Sequence, residues 1–208
     1  MTPYHKELVE NHRRNKLNPD TIKPQFQPYL FTNIAVAVGA KTLHEDWNHS
    51  YFGTTPDDPE YYRTKFTIHT TLAAQLDIMY RYARRWASGI GIDVFYGRYA
   101  KTIEKMDGEN SPYKHHPWST GIALKHEVYF EQLICQIGIG YYLNREMGYF
   151  ADIVEKPYYE RVGVSYAFKK LGGLRLGFNI KAHLTKADYT ELLLTMPITV
   201  KKIKSKKH

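Results

Sequence analysis

The chain has 208 residues, with 29 Lys and Arg against 21 Asp and Glu and a formal net charge of +8. It contains no run of about 20 apolar residues, which excludes a transmembrane helix, and its single Cys135 excludes an intramolecular disulfide and a cysteine metal site. Lys201, Lys202, Lys204, Lys206 and Lys207 of the tail supply much of the charge, so the body is only mildly basic and carries no basic face of the kind nucleic acid requires.

The first residues, MTPYHKELVENHRR, lack the apolar core of a signal peptide. HKELVENHRRNKL reads as a short amphipathic helix, and NPDTIKPQFQP breaks it. Residues 1–28 are therefore expected to be an N-terminal extension.

From residue 29 onward the dominant signal is apolar–polar alternation with period two, the mark of strands with one apolar face. In TLAAQLDIMYRY, Leu72, Ala74, Leu76, Ile78, Tyr80 and Tyr82 share a face, and Thr71, Gln75, Asp77 and Arg81 share the other. ERVGVSYAFK and RLGFNIKAHLT repeat the pattern. Eight segments result, over 29–41, 66–84, 88–100, 118–130, 132–143, 158–170, 173–184 and 189–200. The connections after the first, third and fifth are long and polar, whereas those after the second, fourth and sixth are tight, such as RRWA and KLGG. That rhythm is the one of an outer-membrane barrel, with short periplasmic turns and long external loops.

The chemistry of the faces points the same way. A membrane barrel turns its apolar face to lipid and its polar face to the lumen. The polar faces hold Asp77, Asp93, Glu127 and Glu191, which can meet Arg81, Lys125, Arg161, Arg175 and Lys181. Gly89, Gly91, Gly138, Gly140, Gly163 and Gly177 suit a tight lumen filled by side chains. Tyr80, Tyr82, Tyr96, Tyr141 and Tyr158 stand at strand ends like an interfacial girdle. The expected fold is all-β: an eight-stranded antiparallel transmembrane β-barrel of the bacterial outer membrane over 29–200, followed by a basic C-terminal tail over 201–208. A soluble up-and-down barrel with a ligand cavity is the alternative; it would point bulkier apolar residues inward.

In this topology segment seven rises to the external side, and NIKAHLTKADYTE becomes the last external hairpin. His183, Thr185 and Glu191 all fall in the polar register, with His183 expected to face Glu191 across the hairpin. The alternation points His183 and Thr185 into the lumen, so they reach lipid only at the rim or where a bulge re-aims them.

GIALKHEVYFEQLICQIGIGYYL, YYERVGVSYAF and LRLGFNIKAHLTKADYTE resemble the outer-membrane lipid A deacylases of the PagL type, above all the branch described as acyloxyacyl hydrolases. The resemblance covers roughly residues 31–195 and is strongest in GIALKHE and KAHLTKADYTE. It implies an eight-stranded outer-membrane barrel that removes an ester-linked acyl chain from lipid A with a His-x-Ser pair and a Glu further on. Carried over, the base is His183, the nucleophile Thr185 and the orienting carboxylate Glu191. Thr185 stands where the family has Ser, and threonine is a secondary alcohol with a crowded χ1. His183 would take the proton from Thr185, Thr185 would attack the ester, and Glu191 would hold the imidazole tautomer. Backbone N–H groups of the TKAD turn would serve as oxyanion hole.

Other candidates carry less. His126 and Glu127 lie toward the periplasmic end of segment four, with His126 oddly in the lipid-facing register. His115 and His116 lack a third metal ligand. Ser165 lacks a G-x-S-x-G context. Lys101, Lys105 and Lys114 read as a solvated loop, though they would also attract lipid A phosphates. The expected function is an outer-membrane esterase acting on lipid A of lipopolysaccharide, without metal or cofactor. The alternative is a catalytically inactive barrel of the same family, a structural subunit bound to other envelope proteins through its N-terminal extension and basic tail. No nucleic acid is expected as a partner.

Overall fold

The computed structural model describes residues 26–43, 55–57, 67–108, 110–183 and 186–202. The expected N-terminal helix, most of the first long loop, Thr185 and the end of the lysine tail lie outside the described residues.

Eight strands form, β1 (Tyr29–Lys41), β2 (His69–Arg81), β3 (Trp86–Gly97), β4 (His115–Phe130), β5 (Leu133–Met147), β6 (Tyr158–Phe168), β7 (Leu174–His183) and β8 (Lys186–Lys202). Each pairs antiparallel with its neighbour, and β8 returns to β1 to close the barrel in the order β1 to β8. The strands match the expected eight segments, with shifted ends: β5 runs to Met147 rather than 143, and β8 begins at Lys186 rather than 189. β4 begins at His115 rather than in the loop, and β8 runs on to Lys202, into the expected tail. Short turns join β2 to β3, β4 to β5 and β6 to β7 at one end. The longer connections lie at the other end. The one between β3 and β4 carries α1 (Ala100–Asp107), and the one between β5 and β6 carries a π-helical turn, Phe150–Val154.

The polarity of the wall is inverted relative to a soluble protein. Outward residues are large and apolar: Leu124 is 68% exposed, Phe178 64% and Ile78 59%. Inward residues are polar or charged and buried, including Asp93 at 0% and Glu191 at 1%. This arrangement fits an outer-membrane β-barrel, whose apolar exterior faces lipid and whose lumen is polar. Exposed Tyr80, Tyr82, Trp86, Phe130, Tyr166 and Phe168 ring the short-turn end, and Trp118 and Tyr141 stand toward the other.

Side chains fill the lumen in layers. Near the short turns lie Phe31, Met79, Ala87, Tyr129 and Ile134. Above them Arg175 Nη1 meets Glu127 Oε1 at 2.8 Å, and Asn33 Nδ2 donates to the same oxygen at 2.9 Å. Further up, Lys125 Nζ lies 2.6 Å from both Asp77 and Asp93, and Arg161 pairs with Asp93 and Glu191. An aromatic layer of Phe95, Tyr142 and Tyr159 follows. Tyr159 is fully buried and donates to Asp93 Oδ2 at 2.7 Å.

Glycine makes room for that ring. A Cβ on Gly140 would stand 2.1 Å from Tyr159 Cζ, and one on Gly121 would stand 2.7 Å from its hydroxyl. Tyr159 is therefore wedged between two strands that carry no side chain there. Gly140→Ala is expected to destabilise the barrel by roughly 1–3 kcal/mol, the usual cost of overpacking. A lowered urea midpoint in lipid or detergent, followed by heat-modifiable gel migration, is the check.

Candidate functional site

The β7–β8 hairpin is tight, with β7 ending at His183 and β8 beginning at Lys186. His183 is therefore opposite Lys186, while Glu191 is opposite Asn179. Glu191 thus sits four residues down β7 from His183, about 13 Å at the usual strand rise of about 3.3 Å per residue. The expected face-to-face pair of His183 and Glu191 does not form. Glu191 is held instead by Arg161, in the charge layer below the aromatic residues.

A β-bulge supplies the histidine with a different carboxylate. Lys181 pairs with Tyr189 and Ala182 pairs with Ala187, so Asp188 is the extra residue on β8. Bulges break the alternation locally and re-aim side chains. Tyr189 already points inward in the regular register, and the bulge turns Asp188 inward as well, leaving its side chain 3% exposed. Asp188 has the sequence parity of outward-facing Thr190, Leu192 and Leu194, and a carboxylate in that register was the available sign of a bulge. Within the expected TKAD turn, β8 already begins at Lys186, and Asp188 enters the lumen.

His183 is buried, facing the lumen as the alternation predicts. Its Nδ1 lies 3.7 Å from Asp188 Oδ2 and 3.9 Å from Glu155 Oε2. Its Nε2 lies 2.9 Å from the Tyr142 hydroxyl. Two carboxylates near Nδ1 favour the tautomer protonated there, in which Nε2 accepts from the Tyr142 O–H. Both carboxylates are also claimed by cations. Asp188 pairs with Lys41 and, at 3.0 Å, with Lys181, and Glu155 pairs with Arg145. Residues of β1, β5, β7 and β8 and of the β5–β6 connection thus converge around one histidine.

The cluster lies under a small apolar cap. Leu43, Tyr99, Ala100 and Met147 pack together, with Ile103 of α1 and Ala151 of the π-helical turn against them. The Tyr99 ring lies 4.7 Å from Lys41 Nζ, and burial pushes its phenol up, so it stays protonated. Asp107 at the end of α1 accepts from His115 Nε2 at 2.8 Å and from the Tyr149 backbone at 2.9 Å, tying the two long connections together. Gly148, at φ +79, permits this contact, since a Cβ there would stand 2.3 Å from Asp107 Oδ2.

The remaining candidates separate. His115 is engaged by Asp107 and buried, His116 is exposed, and among the described residues no group of metal ligands gathers around them. Glu127 binds Arg175 in the lumen, and Ser165 is buried in the lumen wall. His126 points outward, as its register predicts, and pairs with Ser88. Reasoning from sequence missed Lys41, Tyr142, Arg145 and Glu155, which no local motif marks, and Asp188, which only its register marked.

A closed eight-stranded barrel with an apolar exterior, a charged lumen and a histidine–carboxylate cluster at its long-loop end defines the class of this protein. The family described as acyloxyacyl hydrolase, C-terminal domain, the PagL type, matches residues 30–199, and the chain belongs to it. No curated relative matches the chain.

Asp188 neutralises the half-buried Lys41 and the buried Lys181, so its removal leaves uncompensated charge. Asp188→Asn is expected to cost about 3–5 kcal/mol of stability, as breaking buried pairs does. Thr190→Asn, on the outer face nearby, is expected to cost less than about 1 kcal/mol. Paired urea-unfolding curves of the two variants check the difference.

Proposed function

We propose that this protein resides in the bacterial outer membrane and hydrolyses an ester-linked acyl chain of lipid A. The long connections face outward and the short turns face the periplasm, in keeping with the loop rhythm of such barrels. Family membership supports the reaction class. The observation that carries the reading onto this chain is the bulge, which brings Asp188 within 3.7 Å of His183 Nδ1. In this reading Asp188 takes the orienting role expected of Glu191. His183 is the general base, and Thr185, two residues on, is the nucleophile. Nε2 accepts the Thr185 proton once Tyr142 releases it, the hydroxyl oxygen attacks the ester carbonyl, and the alcohol leaves with the proton. Water then cleaves the acyl-threonine and releases a fatty acid.

One observation favours a second reading, that of a family barrel without esterase activity serving as a structural subunit. Nε2 is occupied by Tyr142, and His183 is only 6% exposed beneath the apolar cap. Residues 1–28 and the basic tail would then dock other envelope proteins.

Mass spectrometry of lipid A incubated with the purified barrel separates the two. Loss of one acyl chain is expected with the native protein. His183→Ala and Thr185→Ala are each expected to lower the rate at least about 100-fold, the scale of a lost general base or nucleophile. Asp188→Glu is expected to retain more activity than Asp188→Asn. Intact lipid A under conditions where a Ser-containing family member works would rule out the esterase and leave the structural reading.

A further inference from the structure

On the outer wall, toward the short turns, a polar pair interrupts the apolar belt. Ser88 of β3 and His126 of β4 are register partners, and Ser88 Oγ lies 2.8 Å from His126 Nδ1. Their lipid-facing surroundings are apolar: Ile90, Leu124 and Ile137 are all exposed. Trp86, on the same face two residues before Ser88, lays its ring 5.4 Å from the imidazole at an interplanar angle of 31°. Tyr80 is the β2 partner of Ser88, and its ring contacts Tyr82. The pair therefore stands at the depth of the aromatic girdle and not in the middle of the belt. Exposed Arg84 and Arg85 occupy the β2–β3 turn beside it.

A histidine and a serine facing hydrocarbon would carry unmet hydrogen-bonding capacity, which is costly. Girdle depth is different, because ester and phosphate oxygens of the lipid are within reach there. In the tautomer where Ser88 donates to Nδ1, the ring is fixed and Nε2–H is the donor of the pair. Among the described residues Nε2 makes no hydrogen bond. The ligand it suits is an acceptor oxygen arriving from the lipid side. Two arginines at the adjacent turn favour an anionic group.

We propose that Ser88, His126, Trp86 and the Arg84–Arg85 turn form a headgroup site for one glycerophospholipid of the leaflet around the short-turn end. His126 donates to a phosphate or ester oxygen, the arginines neutralise the phosphate, and Trp86 flanks the glycerol. The site rests on the membrane reading above but not on any hydrolysis, since it lies at the opposite end of the barrel from His183.

Native mass spectrometry of the full chain in detergent, titrated with dioleoyl phosphatidylethanolamine and separately with dioleoylglycerol, tests it. The native barrel is expected to retain one phospholipid and not the headgroup-free lipid. His126→Leu is expected to weaken retention on the order of tenfold, the effect of losing a charge-assisted hydrogen bond. Ser88→Ala, which frees the ring without altering charge, is expected to weaken it less. Heat-modifiable migration verifies that each variant folds. Equal retention by native and His126→Leu barrels, or equal retention of both lipids, overturns the headgroup site alone. A native chain that stays soluble without detergent overturns the membrane reading and this site with it.

Discussion

A charge turned into this lumen needs a partner there: most meet a counter-charge, and Arg81 meets the Tyr29 hydroxyl and the Tyr129 ring. The wall is apolar on its other side, so a lone lumen charge has nowhere to escape. Lys125 therefore bridges Asp77 and Asp93, and Arg161 bridges Asp93 and Glu191, which joins β2, β3, β4, β6 and β8 through two cations. Arg175, Glu127 and Asn33 join β7, β4 and β1 in the same way. The pairs that cross the lumen, Arg161 with Asp93 and Glu127 with Arg175 and Asn33, form only when the sheet is closed, and a closed sheet with unpaired lumen charges would be expensive. Closure and charge pairing are mutually dependent.

The long-loop end depends on the same constraint. The Asp188 bulge compensates half-buried Lys41 and buried Lys181 near the mouth. Glu155, from the connection after β5, compensates Arg145. His183 lies near the two carboxylates, which favour its Nδ1-protonated tautomer. Whatever chemistry the histidine performs is therefore set by a network that first of all neutralises buried charge. The apolar cap of Leu43, Tyr99, Ala100 and Met147 sits over that network.

The two ends of the molecule differ in kind. One is closed by loops that converge on a titratable cluster inside the lumen. The other is closed by tight turns, and its distinctive chemistry, the Ser88–His126 pair, is on the outside. Both involve a histidine beside a hydroxyl, and side-chain direction alone separates them: His183 faces the lumen, and His126 faces outward.

The strands, their order and the inside-out polarity were legible from sequence, because a period of two repeats in every segment and assigns each side chain a face. His126 outward and His183 inward followed from that same parity. The partner of His183 did not follow. One extra residue at Asp188 shifts the register between β7 and β8, and that shift sends Glu191 to Arg161 and Asp188 to the histidine. Lys41, Tyr142, Arg145 and Glu155 come from distant parts of the chain, and only the closed barrel places them around one imidazole. The sequence by itself determined which face each residue takes, since alternation is a local property of the backbone. The tertiary structure alone decided which charges meet, since register and closure are properties of strands paired across the whole chain.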